Sequence, residues 1–277
     1  MQQAIWSSYL LELPIEDMVR TFSKHGWSCA ELSDEHARML LDRGSPAVVG
    51  TAFRTFMNDF GFSFPQGHLW LGADIALLDS AARRVHIDIV KQWCDLFVAL
   101  GVKAAVLHPG GFMLSAVLTQ NELAEIRYRA LEELINHIAD TDMVICLENC
   151  YHLIPDAYGL LAILEPFDPA HTGICFDTGH QNITRGDFRE FIMTAGSQLK
   201  ATHINDNLGE RDDHMMPYGR GTVPWADVLG ALREIGYHNV FNFEIPGECR
   251  CPLETRLAKL DYIKRLGEQM IAEIERT

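Results

Sequence analysis

Residues 143–148, MVICLE, and 172–177, TGICFD, are two short apolar runs that each end in a carboxylate. Runs of this length, rich in β-branched and aromatic residues and lacking a polar alternation, read as strands buried on both faces, the state of strands in a parallel sheet. Working outward, six more runs of the same kind are found: Ala4–Tyr9, Ser28–Leu32, Phe62–Leu69, Lys103–His108, Ala201–Asn205 and Val240–Ile245. Amphipathic stretches separate them. Pro14 opens one helix, Ser80 precedes a long Val85–Leu100 segment that Gly101 stops, and Asn121–Ala139 places Leu123, Ile126, Ala130, Leu134 and Ile138 at helical spacing. The second unit is longer, with helical pieces at Asp34–Asp42 and Pro46–Asp59. Eight strand-then-helix units predict an α/β chain closed as a (β/α)8 TIM barrel, and 277 residues suit one such domain spanning 1–277.

In a barrel of this kind the chemistry sits at the C-terminal ends of the strands. Five successive runs deliver an ionisable side chain there: His108 in AAVLHPGG, Glu148 in VICLEN, Asp177 in ICFDTGH, His203 in ATHINDN and Glu244 in FNFEIPGE. A lone strand-end carboxylate is as often a helix cap as a ligand. Several brought together are another matter, because each loses hydration and repels its neighbours unless a cation neutralises them. Glu148, Asp177, His203 and Glu244 are therefore expected to hold one divalent metal. Three carboxylates and one imidazole suit Mn²⁺ first, with Mg²⁺, Co²⁺ or Zn²⁺ as alternatives, and no cysteine takes part that would mark structural zinc.

Further candidates face the same rim. His180 follows Asp177 in a DxxH step and is expected to contact a ligand; His68, His108, Glu31 and Arg211 are weighed in the same role. Asp212 and His214, two residues apart in a charged loop, are candidates for a second metal or for a substrate hydroxyl. Trp70, Phe112 and Tyr151 stand just past strand ends, where their faces would wall a sugar pocket. His25, His86, His137 and His171 receive no role.

Composition narrows the function. The formal charge is −15, with 23 Lys+Arg against 38 Asp+Glu, which disfavours a phosphate-backbone partner unless bound metal reverses the local sign. The seven cysteines are scattered, and Cys249 and Cys251 lack CxxC spacing, as expected for a reducing, cytoplasmic setting. The opening residues have no basic segment ahead of an apolar one, and no run reaches membrane-spanning length, so neither a signal peptide nor a membrane span is expected.

From HPGG at 108 to FEIPGE at 244, the motifs resemble those of the xylose isomerase-like TIM barrels, specifically the sugar phosphate isomerase/epimerase group with the ketose 3-epimerases. The resemblance implies one divalent metal on Glu148, Asp177, His203 and Glu244, the two glutamates doubling as proton-transfer groups, and a substrate contact from His180. It implies a small sugar as partner and allows a homodimer. The same superfamily holds the endonuclease IV type of abasic-site nuclease, whose trinuclear zinc site resembles His68, His108, Glu148, Asp177, His180, His203, Asp212, His214 and Glu244 together. Acidic balance, few basic residues in the rim loops and the glycine of DTGH favour the sugar enzyme. A lyase or dehydratase using the same enolate chemistry is a third alternative.

Overall fold

In the computed structural model, which describes residues 1–112 and 118–276, eight parallel strands alternate with helices. They are β1 (Gln2–Ile5), β2 (Cys29–Leu32), β3 (Ser63–His68), β4 (Ala104–Leu107), β5 (Val144–Glu148), β6 (Thr172–Asp177), β7 (Leu199–His203) and β8 (Val240–Phe243). Strands β2 to β7 form one continuous parallel sheet in chain order, and β1 pairs with β8. Two single parallel bridges, Trp6 to Glu31 and Ile204 to Phe243, join the two pieces and close the circle. The fold is an α/β TIM barrel, as the eight runs predict.

The first run breaks earlier than expected. β1 stops at Ile5, and residues Ser7–Leu10 form a single 3-10 turn in which the Ser7 hydroxyl accepts the backbone N–H of Ser33 at 2.9 Å. That bond ties the turn to the end of the neighbouring β2 unit, 26 residues on in the chain. β7 starts two residues before its predicted run, at Leu199, and β8 ends at Phe243, so that Glu244 stands just beyond the strand.

The helices follow from their caps. Asp79 caps α4 (Ser80–Leu100) by accepting from Ala82, and Gly101 closes it in the left-handed region at φ 87°. Thr119 and Glu122 make a reciprocal capping box at the start of α5 (Gln120–Ile138). The large apolar residues, among them Phe22, Phe64, Trp93, Phe97, Phe176 and Phe241, pack in the main core, which the helices cover. A small cluster of Ala104, Val106, Cys146, Cys175 and Ala201 comes from the strand positions that alternate with that core. Two residues further along, the same lines on β4, β5, β6 and β7 reach His108, Glu148, Asp177 and His203. Among the described residues no helix is long and apolar enough to cross a membrane.

Candidate metal centre

The carboxylates and imidazoles meet at the C-terminal mouth of the barrel. One ligand atom each from Glu148, Asp177, His203 and Glu244 lies within 4.8 Å of the other three. All four residues are buried, between 0% and 5% exposed. His203 Nδ1 is 2.9 Å from Glu148 Oε1 and 3.4 Å from Glu244 Oε2. Glu244 Oε2 has no hydrogen-bond partner among the described residues.

Local folding fixes each group. Asp177 ends β6 and caps α7 (Thr178–Thr184), its Oδ1 accepting the His180 N–H at 2.6 Å. Its Oδ2 accepts from Asn205 Nδ2 at 2.7 Å, and its backbone is clasped by the Asn149 amide on both sides. Gly179 is required by that contact, because a Cβ there would fall 1.9 Å from Asn205 Oδ1. Gly110 and Gly111, at φ 68° and 90°, carry the chain past His108 in a conformation that other residues rarely adopt. Asp74 Oδ1 accepts the Gly111 N–H from one side of that turn, and the Arg127 guanidinium donates to the Pro109 and Gly110 carbonyls from the other.

Two further clusters border the first. His68 Nε2 and His108 Nε2 both face Glu148 Oε2, at 3.4 and 3.1 Å, and these three residues also have ligand atoms mutually within 4.8 Å. Across the mouth, Asp212 sits between His180 Nε2 at 3.1 Å and His214 Nε2 at 3.2 Å. His180 Nδ1 lies 2.8 Å from the Asn149 carbonyl and His214 Nδ1 2.9 Å from that of Glu244, so each ring offers its Nε2 to Asp212. His214 occupies the left-handed region at φ 45°, a strained backbone for a histidine.

The electrostatics of the groups differ. Burial pushes the Glu244 carboxyl up to about 8, against the pull of His203 and His214. Burial also opposes ionisation of Glu148, yet His203, His108 and His68 outweigh it and hold that carboxyl well below the usual range. His203 is raised well above an ordinary imidazole, because Cys175, Glu244, Glu31 and Glu148 overcome the opposing effect of burial. His214 rises to about 10, burial being outweighed by Glu244 and Asp212. A charged His203 would thus stand where a cation would relieve the neighbouring carboxylates. The donor set and the unpartnered Glu244 oxygen fit a divalent ion.

Other expected residues lie elsewhere. Arg211 is 83% exposed, and its one ion-pair partner among the described residues is Asp213, at 3.9 Å. Glu31 is fully buried, and its register partner in β3 is Gln66, two residues short of His68, which puts it one layer beneath the mouth. Trp70 packs on His86 and Trp93, outside the cluster. Tyr151 and Phe112 do reach it, with ring centres 5.3 Å from His180 and 6.3 Å from His108. Sequence reasoning missed the buried amides Asn149, Asn205, Gln66 and Asn242. Asn149, Asn205 and Asn242 stand inside the motifs already quoted, and Gln66 and Asn242 precede His68 and Glu244 by the strand period of two. It also missed Trp6, 6.2 Å from the His214 ring, and His152, 5.2 Å from Phe112.

The family model described as Xylose isomerase-like TIM barrel matches residues 19–266. The chain belongs to that family. It is 31% identical to the D-psicose 3-epimerase of Enterocloster bolteae over 113 residues, 39% of this chain and 36% of that protein. It is 27% identical to the uncharacterised protein y4fM of Sinorhizobium fredii over 168 residues, 59% of this chain, and it spans about half of that relative, 54%. A solved D-tagatose 3-epimerase-like protein superposes with a TM-score of 0.80 over 99% of this chain and 98% of its own, at 20% identity, which shows a shared fold.

Proposed function

We propose that this member of the family is a divalent-metal-dependent isomerase or epimerase of a ketose or related small sugar, with Glu148 and Glu244 as its acid–base pair. One observation carries the reading: three buried carboxylates and one imidazole converge with no Lys or Arg among them, and an oxygen of Glu244 is left unpartnered. The identity to a D-psicose 3-epimerase supports a sugar as substrate. The oxygen-rich donor set favours Mn²⁺, with Mg²⁺, Co²⁺ and Zn²⁺ as competitors.

Residues Glu148, Asp177, His203 and Glu244 would hold the ion. When bound, it supplies Lewis acidity that makes the proton on a carbon beside a sugar carbonyl easier to remove. One carboxylate of the Glu148–Glu244 pair takes that proton as general base, giving an enediolate. The other, in its protonated form, gives its proton to the opposite face of the same carbon, which inverts that carbon and leaves the pair's total proton count unchanged. Return to the neighbouring carbon instead exchanges aldose and ketose. His180, its Nδ1 pinned by the Asn149 carbonyl, donates its Nε2–H to the enediolate oxygen in place of Asp212. Phe112 and Tyr151 cover the sugar's C–H face.

A second reading has its own observation. His68 and His108 share Glu148 at metal-ligand spacing, and His180, Asp212 and His214 form a third group, as an abasic-site phosphodiesterase with several zinc ions would need. Incubating the protein with a ketose panel in D₂O and Mn²⁺, with and without chelator, separates the two. Metal-dependent loss of the α-proton NMR signal supports the isomerase. No exchange on any ketose, together with incision of an abasic oligonucleotide, replaces it by the nuclease. An unsaturated product points to a lyase.

A further inference from the structure

Below the proposed metal site lies a carboxylate that its mechanism does not use. Glu31 is fully buried, and its Oε1 is 3.0 Å from His203 Nε2 and 3.1 Å from Gln66 Nε2. Its Oε2 accepts from Asn242 Nδ2. No Lys or Arg contacts it among the described residues, so the only group able to offset its charge is the imidazole above. When Nδ1 is given up to an ion, Glu31 holds the ring's remaining proton on Nε2, because a carboxylate only accepts hydrogen bonds. In the neutral ring Nδ1 is then a lone pair, and it faces Glu148 and Glu244 across the centre.

We infer that Glu31 is the positioning residue of the metal centre: through His203 it fixes the ring tautomer that turns Nδ1 toward the ion and makes that nitrogen a stronger donor. A carboxylate hydrogen-bonded behind a metal-bound histidine commonly does this, and losing one typically lowers metal affinity about 10–100-fold. The inference rests on the metal reading above and gives Glu31 a role distinct from the substrate contact expected of it from sequence. Burial beneath the ligands keeps it from any molecule entering at the mouth.

Glu31→Gln is close in shape, and Asn242 can accommodate it. Asn242 Oδ1 has no partner among the described residues, so a flip of its amide gives the N–H introduced by Glu31→Gln an acceptor. The test compares wild type and Glu31→Gln for Co²⁺ affinity by calorimetry, for the visible Co²⁺ ligand-field spectrum, and for melting temperature without metal. The expected result is an affinity lowered about 10–100-fold, a shifted Co²⁺ spectrum, and a metal-free melting temperature close to wild type. Glu31→Asp, which keeps the charge but shortens the reach, should recover part of the affinity. Unchanged affinity and spectrum in Glu31→Gln would overturn the inference while leaving the metal centre standing, as would a raised sugar KM with metal binding intact. A wild-type protein that binds no Co²⁺ would remove the metal reading itself, and the inference with it.

Discussion

The two clusters at the barrel mouth are built from the same residue types and solve opposite electrostatic problems. The first sets Glu148, Asp177 and Glu244 against His203. The second sets Asp212 between two imidazoles, His180 and His214, with the latter raised to about 10. Protonated imidazoles balance the second cluster without help. The first has three carboxylates for one imidazole, and burying each ion costs several kcal/mol on its own. Their supports differ too: strand ends deliver the first, at 0–5% exposure, whereas Asp212 and His214 hang on a loop with side chains 27% and 18% exposed. The first cluster therefore has more use for a cation than the second, and our proposal that the metal sits there rests on this asymmetry.

The largest expected effect comes from breaking the first cluster. Glu148→Gln and Glu244→Gln should each lower the rate of deuterium exchange about 10²–10⁴-fold, the usual worth of a general acid or base. Asp177→Asn should abolish measurable Mn²⁺ binding in calorimetry. Retention of tight binding by Asp177→Asn would dissolve the contrast between the clusters.

Proton release on metal binding sharpens the same contrast. Glu244 is protonated below about 8 in the metal-free protein, and His203 is raised well above its ordinary range. The ion takes only the deprotonated ligands, so uptake at pH 7 should release about two protons, and affinity should climb as pH rises through about 8, where Glu244 loses its proton, and go on climbing until His203 has lost its own. Calorimetry in buffers of different ionisation enthalpy reads this number. About four protons and more than one ion per chain would mean that His180 and His214 are ligands too, which is the nuclease arrangement.

Asp212→Asn tests the second cluster. Removing one charged hydrogen-bonding partner is worth roughly 1.5–3 kcal/mol, so kcat/KM should fall on the order of tenfold to a hundredfold while metal stoichiometry stays at one. A drop in stoichiometry would make Asp212 a ligand.

Legibility in the sequence followed the strands. Glu148 and Asp177 each end an apolar run and the seventh run passes through His203, and a strand fixes where its residues point, so those positions could be read directly. Glu31 ends almost the same kind of run, yet it lies a layer deeper, because depth depends on register against β3, where Glu31 meets Gln66. Register is a tertiary quantity that one strand's sequence does not carry. Gln66 and Asn242 were hidden for the related reason that a polar residue inside an apolar run has meaning only once its neighbours across the barrel are known. The loop after β7 had no periodicity to read. Asp212, His214 and Arg211 were indistinguishable there, and the fold turned two inward and one outward.

That outward turn gives the smallest expected effect. Arg211 lies one residue from Asp212, carries the positive charge an anionic intermediate would welcome, and is expected from sequence to contact substrate. Its side chain is 83% exposed, and Asp213, at 3.9 Å, is its one ion-pair partner among the described residues. A solvated pair of this length contributes at most about 1 kcal/mol. Arg211→Ala should change kcat/KM less than about twofold and leave stability within roughly 0.5 kcal/mol, as for a surface substitution. A tenfold loss with melting temperature unchanged would mean that the loop closes over bound sugar and carries Arg211 inward. The second cluster would then be part of a closing lid, and the contrast with the strand-borne ligands would be one of mobility as well as charge.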